Sequence, residues 1–160
     1  MARYVPYSEN FNETKFLNKF RLGTMVFSKD CIYKLRFFEV GEKGEPKQEI
    51  TKQDIICKST SNEMNQIQNG KNVFTISENK SVNDVIDLSK YKMEFPKTGL
   101  FVAIEVMNLE ENKTQLGKDS VLSPILTMSK NKKNIWKYES GIWVKSEGNN
   151  SFTMKLSLSN

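Results

Sequence analysis

The chain has 160 residues, which is the length of one domain with a core large enough to fold without disulfide or metal cross-links. Its 24 Lys and Arg against 19 Asp and Glu give a formal net charge of +5, and it contains no histidine, which excludes Ser-His-Asp triads, Cys-His dyads and His-based zinc sites. No apolar stretch approaches the ~18 residues that cross a bilayer. The sequence therefore predicts a single domain over residues 1–160 with no transmembrane segment.

Short segments of β-type residues recur along the chain, with no convincing helix between them. In residues 32–40, apolar Tyr33 and Leu35 alternate with basic Lys34 and Arg36 before a turn-rich stretch. The last segment alternates most strictly, which predicts one buried and one solvent-facing side. About ten strands are predicted: residues 16–25, 32–40, 54–58, 72–77, 82–88, 100–107, 121–128, 134–138, 142–145 and 151–159.

Residues 84–108 show the strand pattern most clearly, because a one-turn connector at Ser89–Tyr91 and a bend at Pro96 and Gly99 separate two apolar strands. One open sheet of about ten strands leaves an apolar face and two bare edges uncovered. The sequence therefore predicts an all-β fold, a two-sheet antiparallel β-sandwich of jelly-roll-like topology. An immunoglobulin-like sandwich is the alternative, but it usually needs only about 100 residues, and its Cys–Trp–Cys spacing is absent here.

The two cysteines lie at the ends of two predicted strands. Cys31 opens the strand at 32–40, and Cys57 lies near the end of the strand at 54–58. If these strands pair antiparallel, the two thiols become neighbours and a disulfide is possible, which suits an exported protein. The alternative is two free cysteines that act as small apolar residues.

Motifs for catalysis and cofactor binding are missing from the sequence. It has no glycine-rich phosphate loop, and two cysteines cannot form a four-thiolate metal site, so no metal and no cofactor are predicted. Five carboxylates lie on or beside predicted strands, but no spacing marks two of them as acid and base. A noncatalytic role is therefore predicted, with a hydrolase as the weaker alternative. The five carboxylates are Glu39, Asp84, Asp87, Glu94 and Glu105.

The densest basic run is Lys130-Asn131-Lys132-Lys133. Basic and acidic residues are otherwise interspersed along the chain, so this short run indicates a solvated turn rather than a nucleic-acid patch. No nucleic-acid partner is predicted.

Aromatic and basic residues gather in residues 134–145, where Ser140 and Gly141 predict a tight hairpin. Exposed aromatic faces stack on sugar rings, and nearby charged groups bond to hydroxyls, so this hairpin is a candidate glycan platform. The alternative is that its aromatic rings complete the core. Because side chains alternate along a strand, Lys137 is expected on the opposite face from its two aromatic neighbours. The candidate ligand-binding residues are Trp136, Tyr138, Trp143, Lys137 and Lys145.

Several ordered segments carry a resemblance to a known family. They are Tyr33-Lys-Leu-Arg-Phe-Phe-Glu-Val with Gly44-Glu-Pro46, then Asp87-Leu-Ser-Lys-Tyr91, Phe95-Pro-Lys-Thr-Gly99, Phe101-Val-Ala-Ile-Glu105 and Leu122-Ser-Pro-Ile-Leu-Thr127. This set resembles the jelly-roll domain of Bacteroidetes surface proteins that often follows a carboxypeptidase-regulatory-like domain. The similarity covers roughly residues 4–146. Lys92 and Val106 depart from it, since Asn and Trp are common at those positions.

The resemblance implies a noncatalytic accessory module that is exported, in the periplasm or at the cell surface. Two hypotheses follow for its partners. In the first, the loops and the aromatic hairpin bind a glycan or an envelope protein. In the second, the domain is purely structural and docks into a larger envelope complex without a small ligand.

Overall fold

The computed structural model describes residues 1–11, 15–25, 32–58, 81–107, 126, 128–129, 134–148 and 150–160. In these residues, nearly all regular structure is β-strand and the strand pairs are antiparallel, which confirms the all-β class. None of the helices in this part of the chain is long and apolar enough to cross a membrane. The elements are β1 (Ala2–Val5), η1 (Glu9–Phe11, a 3-10 turn), β2 (Phe16–Met25), β3 (Ile32–Val40), β4 (Pro46–Glu49), β5 (Ile55–Lys58), β6 (Ser81–Asp87), η2 (Ser89–Tyr91, a 3-10 turn), β7 (Leu100–Val106), β8 (Met128–Ser129), β9 (Ile135–Glu139), β10 (Ile142–Lys145), β11 (Ser151–Phe152) and β12 (Met154–Ser159).

Most predicted strands in the described ranges are confirmed to within one residue, because apolar runs or apolar–polar alternation mark them locally in the sequence. The last predicted strand is interrupted at Thr153, so β11 and β12 replace one strand. β1 and β4 are absent from the prediction. The predicted strand at 72–77 and most of the strand at 121–128 lie outside the described residues.

The strands form three sheets. The largest has seven strands in the order β10-β9-β1-β7-β3-β4, with β5 also paired to β3. β3 pairs with three strands, since β7 lies along one side while β4 and β5 share the other. A three-stranded sheet has the order β12-β2-β6, and β8 pairs with β11 in the third sheet.

The seven-stranded sheet is strongly curled. Phe38 on β3 and Trp143 on β10 are separated in strand order by β7, β1 and β9. Four strand spacings of about 4.8 Å would place them roughly 19 Å apart in a flat sheet. Their ring centroids are instead 5.3 Å apart. The side of the sheet that carries these rings is therefore concave, and the paired residues Ala2 and Ala103 supply small side chains on that side.

The main core lies between the opposite face of this sheet and the three-stranded sheet. Leu35, Phe37 and Val102 from the seven-stranded sheet form one buried cluster with Leu17 and Phe20 from β2. The rings of Phe20 and Phe37 meet edge-on with centroids 6.4 Å apart. The finer jelly-roll sandwich stays a prediction, because some of the strands that it requires lie outside the described residues.

Candidate functional site

The aromatic hairpin predicted at residues 134–145 is present as β9 and β10. Ser140 and Gly141 at its tip both have positive φ angles, 49° and 90°. A two-residue type I′ turn needs positive φ at both positions, and its twist matches that of the flanking strands. The turn pairs Tyr138 with Trp143, and Trp136 with Lys145.

The pairing decides which predicted residues share a surface. Directly opposite residues of antiparallel strands point to the same face. Trp136, Tyr138, Trp143 and Lys145 therefore lie together on the concave side of the sheet. Lys137 is opposite Val144 and lies on the other face, as the alternation predicts, so it is not brought together with the other four.

Both tryptophans of the hairpin pack on a second apolar cluster, which we call the concave cluster. Its buried members are Ala2, Phe38, Phe101 and Ala103. The Trp136 ring meets Phe101 edge-on with centroids 6.4 Å apart. The Trp143 ring meets Phe38 at 5.3 Å and 77°. The two tryptophans thus complete a core, as one alternative proposes, but this core is separate from the main one.

Part of the hairpin's aromatic surface stays open to solvent. Tyr138 is 60% exposed, although its ring centroid is only 5.1 Å from that of Trp143. The indole Nε1 of Trp136 is buried and has no hydrogen-bond acceptor among the described residues. Lys145 adds an exposed ammonium opposite Trp136.

A fixed ion network borders the concave cluster. The Arg36 guanidinium donates to both carboxylate oxygens of Glu49, at 3.0 and 2.5 Å, and to Glu105 at 3.0 Å. It also lies 5.2 Å from the Phe38 ring centroid. The hydrogen bond to Glu49 is the main cause that raises the pKa of Arg36. The three charges are thus paired with one another across β3, β4 and β7.

Three of the five carboxylates considered from the sequence have structural roles. Asp84 is buried and accepts a hydrogen bond from a tyrosine hydroxyl on β3 at 3.1 Å. Asp87 accepts the side-chain hydroxyl and backbone N–H of Ser89 at 2.7 and 2.9 Å, and these bonds lower the pKa of the carboxyl. Glu105 is held by Arg36. Each of these three carboxylates therefore has a hydrogen-bond partner within the fold.

The predicted antiparallel pairing of the cysteine-bearing strands is confirmed as β3 with β5. Cys57 is buried opposite Tyr33 and forms no disulfide with another described residue. Burial raises the pKa of its thiol to about 12, with a further contribution from the charge of Asp84. Cys31 lies outside the described residues, so the choice between a disulfide and two free thiols stays open.

A cleft of about 580 Å³ has no counterpart in the sequence-based interpretation. Three aromatic residues, four lysines and two glutamates contribute to its lining. These residues come from positions between 7 and 97 in the chain, so no local spacing signals the site. Glu39 and Glu94, the other two carboxylates considered from the sequence, are among them.

Among the described residues, no group of three or more Cys, Asp or Glu side chains is placed to hold a metal ion. No family model, curated protein or solved structure compared with the chain matches it. The resemblance to the Bacteroidetes jelly-roll domain therefore depends on the quoted motifs alone.

Proposed function

We propose that this chain is a noncatalytic binding module of the cell envelope or surface, and that it holds a glycan on the aromatic side of the β9–β10 hairpin. The observation that carries the proposal is the exposed Tyr138 ring beside the half-buried Trp143. Lys145 lies on the same face and can donate to hydroxyl groups.

The rings suit a sugar because they are apolar, partly open and held in place. The C–H faces of a pyranose pack on aromatic rings, while its hydroxyls need polar partners at the edge. Phe38 and Phe101 fix the two tryptophans through edge-on contacts. A surface that is already ordered loses little conformational entropy when a ligand binds.

Glycan-array screening followed by titration of tryptophan fluorescence tests this proposal. We expect Tyr138→Ala to weaken sugar binding about two- to tenfold, since one aromatic contact contributes about 0.5–1.5 kcal/mol. Trp143→Ala should abolish the fluorescence response. Ile142→Ala is the matched control, because Ile142 is exposed on the other face of the same hairpin. A control variant that loses as much affinity as Tyr138→Ala contradicts the proposal, as does an array without any bound glycan.

The alternative, a structural domain that docks in a larger envelope complex, has one observation in its favour. β10 ends the strand order of the seven-stranded sheet in the described residues, and it exposes Ile142 by 64% and Val144 by 40%. An edge strand with exposed apolar side chains can add a strand from another protein. If this alternative holds, Ile142→Lys should release a co-purifying envelope protein and leave sugar titrations unchanged.

The proposed location outside the cytoplasm is supported by the family resemblance. Fractionation of the producing cell and protease treatment of intact cells would test it. Recovery of the protein only from the cytoplasmic fraction would overturn it.

A further inference from the structure

The cleft of about 580 Å³, which we call the basic cleft, has the size of a small-molecule site. Tyr7, Phe11 and Phe95 form an aromatic floor within it. The ring centroids of Phe11 and Phe95 are 5.2 Å apart, and that of Tyr7 lies 6.0 Å from Phe11 and 6.2 Å from Phe95. Phe95 is buried in the main core, and the other two rings pack against that core. The floor is therefore apolar and fixed.

Backbone hydrogen bonds hold one wall of the cleft. The N–H of Leu17 donates to the carbonyl of Met93 at 2.8 Å, and the N–H of Phe95 donates to the carbonyl of Lys15 at 2.7 Å. Residues 15–17 and 93–95 thus lie side by side like two short strands. Lys15 at this junction lines the cleft.

A second part of the lining is anchored to β3. The N–H of Ile50 donates to the carbonyl of Phe37 at 2.9 Å, and the N–H of Phe37 donates to the Thr51 hydroxyl at 3.1 Å. Lys52 follows directly and lines the cleft together with Glu39 from β3. Both parts of the lining are therefore positioned by the fold.

Positive charge dominates the rim of the cleft. Four lysines and two glutamates give the lining a formal charge of +2. The lysines are all exposed, and no salt bridge between described residues involves these six charged groups. Their charges are thus not neutralised by one another. The four cations are Lys15, Lys52, Lys92 and Lys97.

We propose that the basic cleft binds an acidic sugar, that is, a pyranose ring that carries a carboxylate or a sulfate group. The ring would pack on the aromatic floor, and the anionic group would lie among the lysine ammonium groups. Glu39 and Glu94 accept hydrogen bonds from sugar hydroxyls, whereas they would repel a chain of phosphates. This site is separate from the hairpin and goes beyond the function proposed for it.

Calorimetric titration with three probes tests the ligand class. The probes are trigalacturonate, its neutral methyl ester, and a sulfated tetrasaccharide from chondroitin sulfate. We expect trigalacturonate, the sulfated tetrasaccharide or both to bind. The ester should bind at least about tenfold more weakly than the preferred acidic probe, and added salt should weaken binding of that probe. The two acidic probes distinguish a carboxylate from a sulfate ligand. Binding of the ester as tight as that of the preferred acidic probe would overturn the proposal, as would no binding of either acidic probe.

Charge-removing variants locate the bound sugar. The double variant Lys52→Gln, Lys97→Gln should weaken binding of the preferred acidic probe about tenfold. Lys43→Gln with Lys47→Gln is the matched control, because both lysines are exposed and neither lines the cleft. Glu94→Gln should strengthen binding, since it removes a negative charge from the rim and keeps an amide oxygen that accepts a hydrogen bond from a sugar hydroxyl. Equal losses in the two double variants would contradict the assignment.

The hairpin variants separate this inference from the function proposed above. Tyr138→Ala should leave the affinity for the preferred acidic probe unchanged, because Tyr138 does not line the cleft. If Tyr138→Ala abolishes acidic-sugar binding and the cleft variants do not, the sugar binds at the hairpin and the cleft proposal fails. If no glycan binds at the hairpin but the cleft variants behave as expected, only the hairpin proposal fails.

Discussion

At the scale of single residues, Gly99 leaves space for the ring of Tyr4 on β1. Its φ angle is +98°, a backbone conformation that costs other residues energy. A Cβ atom at this position would lie 2.6 Å from the Tyr4 ring. Tyr4 in turn packs against Phe101, with ring centroids 5.4 Å apart. The missing side chain therefore makes room for one ring that covers the concave cluster.

We predict that Gly99→Ala lowers the free energy of unfolding by about 2–4 kcal/mol, the sum of a strained backbone and an overpacked side chain. Urea denaturation measures this loss. Gly44→Ala is the matched control, since Gly44 also has a positive φ of 78° but has no atom within 4 Å of an added Cβ. In this control, the free energy of unfolding should fall only by the backbone contribution, about 1 kcal/mol. Equal losses in both variants would show that contact with Tyr4 is unimportant.

Cys57 leads to a prediction about reactivity. Since the thiolate is the reactive form, a buried thiol with a pKa of about 12 should react very slowly in the folded protein. In a Cys31→Ser variant, we expect modification of Cys57 at pH 8 only as fast as the chain unfolds. Rapid and complete modification in denaturant is the control. Reaction of the folded variant at the rate of a free small thiol would contradict this prediction.

The thiol count of the unmodified chain under denaturing, non-reducing conditions decides the open question on the cysteines. Two reactive thiols would remove the disulfide alternative. None would establish a disulfide between Cys31 and Cys57.

At the scale of elements, the β9–β10 hairpin depends on its two-residue turn. Ser140 has a φ angle of 49°, which non-glycine residues adopt rarely and Asn adopts most readily. The turn also sets the register that places Tyr138 opposite Trp143. The local backbone and the aromatic surface are therefore coupled.

We predict that Ser140→Asn stabilises the hairpin by about 0.5 kcal/mol and that Ser140→Val destabilises it by about 1 kcal/mol. Asn fits the left-handed conformation, whereas the branched Val side chain clashes with the backbone there. Amide hydrogen exchange in β9 and β10 measures both effects. Equal protection in the two variants would argue against a turn that needs positive φ at this position.

Lys92 lies at a position where the family pattern described above commonly has Asn. It follows η2 with a φ angle of 47°, again a left-handed conformation. Asn, which is common at this position in the family pattern, adopts that conformation more readily than Lys. Lys at this position therefore carries a larger backbone cost than Asn would, and Lys92 contributes a cation to the basic cleft.

At the scale of the whole molecule, the seven-stranded sheet has apolar clusters on both faces. The main core joins it to the three-stranded sheet, and the concave cluster fills the inside of its curl. Two polar contacts add to these links. The Tyr33 hydroxyl donates to Asp84 on β6 at 3.1 Å, and the buried Arg3 donates to the carbonyl of Phe152 on β11. The sheets should therefore unfold together.

We predict that Phe20→Ala lowers the free energy of unfolding by about 3–5 kcal/mol, because this fully buried ring lies between the two sheets. Circular dichroism and tryptophan fluorescence should report the same shifted transition, although Trp136 and Trp143 lie in the other cluster. Val85→Ala is the control, since this residue is 57% exposed and should change stability by less than about 0.5 kcal/mol. A fluorescence transition left unshifted by Phe20→Ala would show that the two clusters unfold separately.

Whether a strand could be predicted from the sequence depends on how many strand-favouring apolar residues it contains. Residues 16–25, 32–40 and 142–145 match their strands to the residue, because strand-favouring apolar residues, alternating with polar ones in 32–40, are a local signal. β1 and β4 have only four residues each. β4 reads Pro-Lys-Gln-Glu, which has no apolar alternation, so only its partner β3 makes it a strand.

The sequence by itself determined the all-β class, most strand positions, the turn at Ser140 and Gly141, and the shared face of Trp136 and Tyr138. Each of these depends on residues close together in the chain, whose conformations and alternation are local. Only the tertiary structure decided that the sheet curls, that Trp143 reaches Phe38, and that a basic cleft forms. These features bring together residues far apart in the chain, so they depend on strand pairing and on the burial of apolar side chains in the folded molecule.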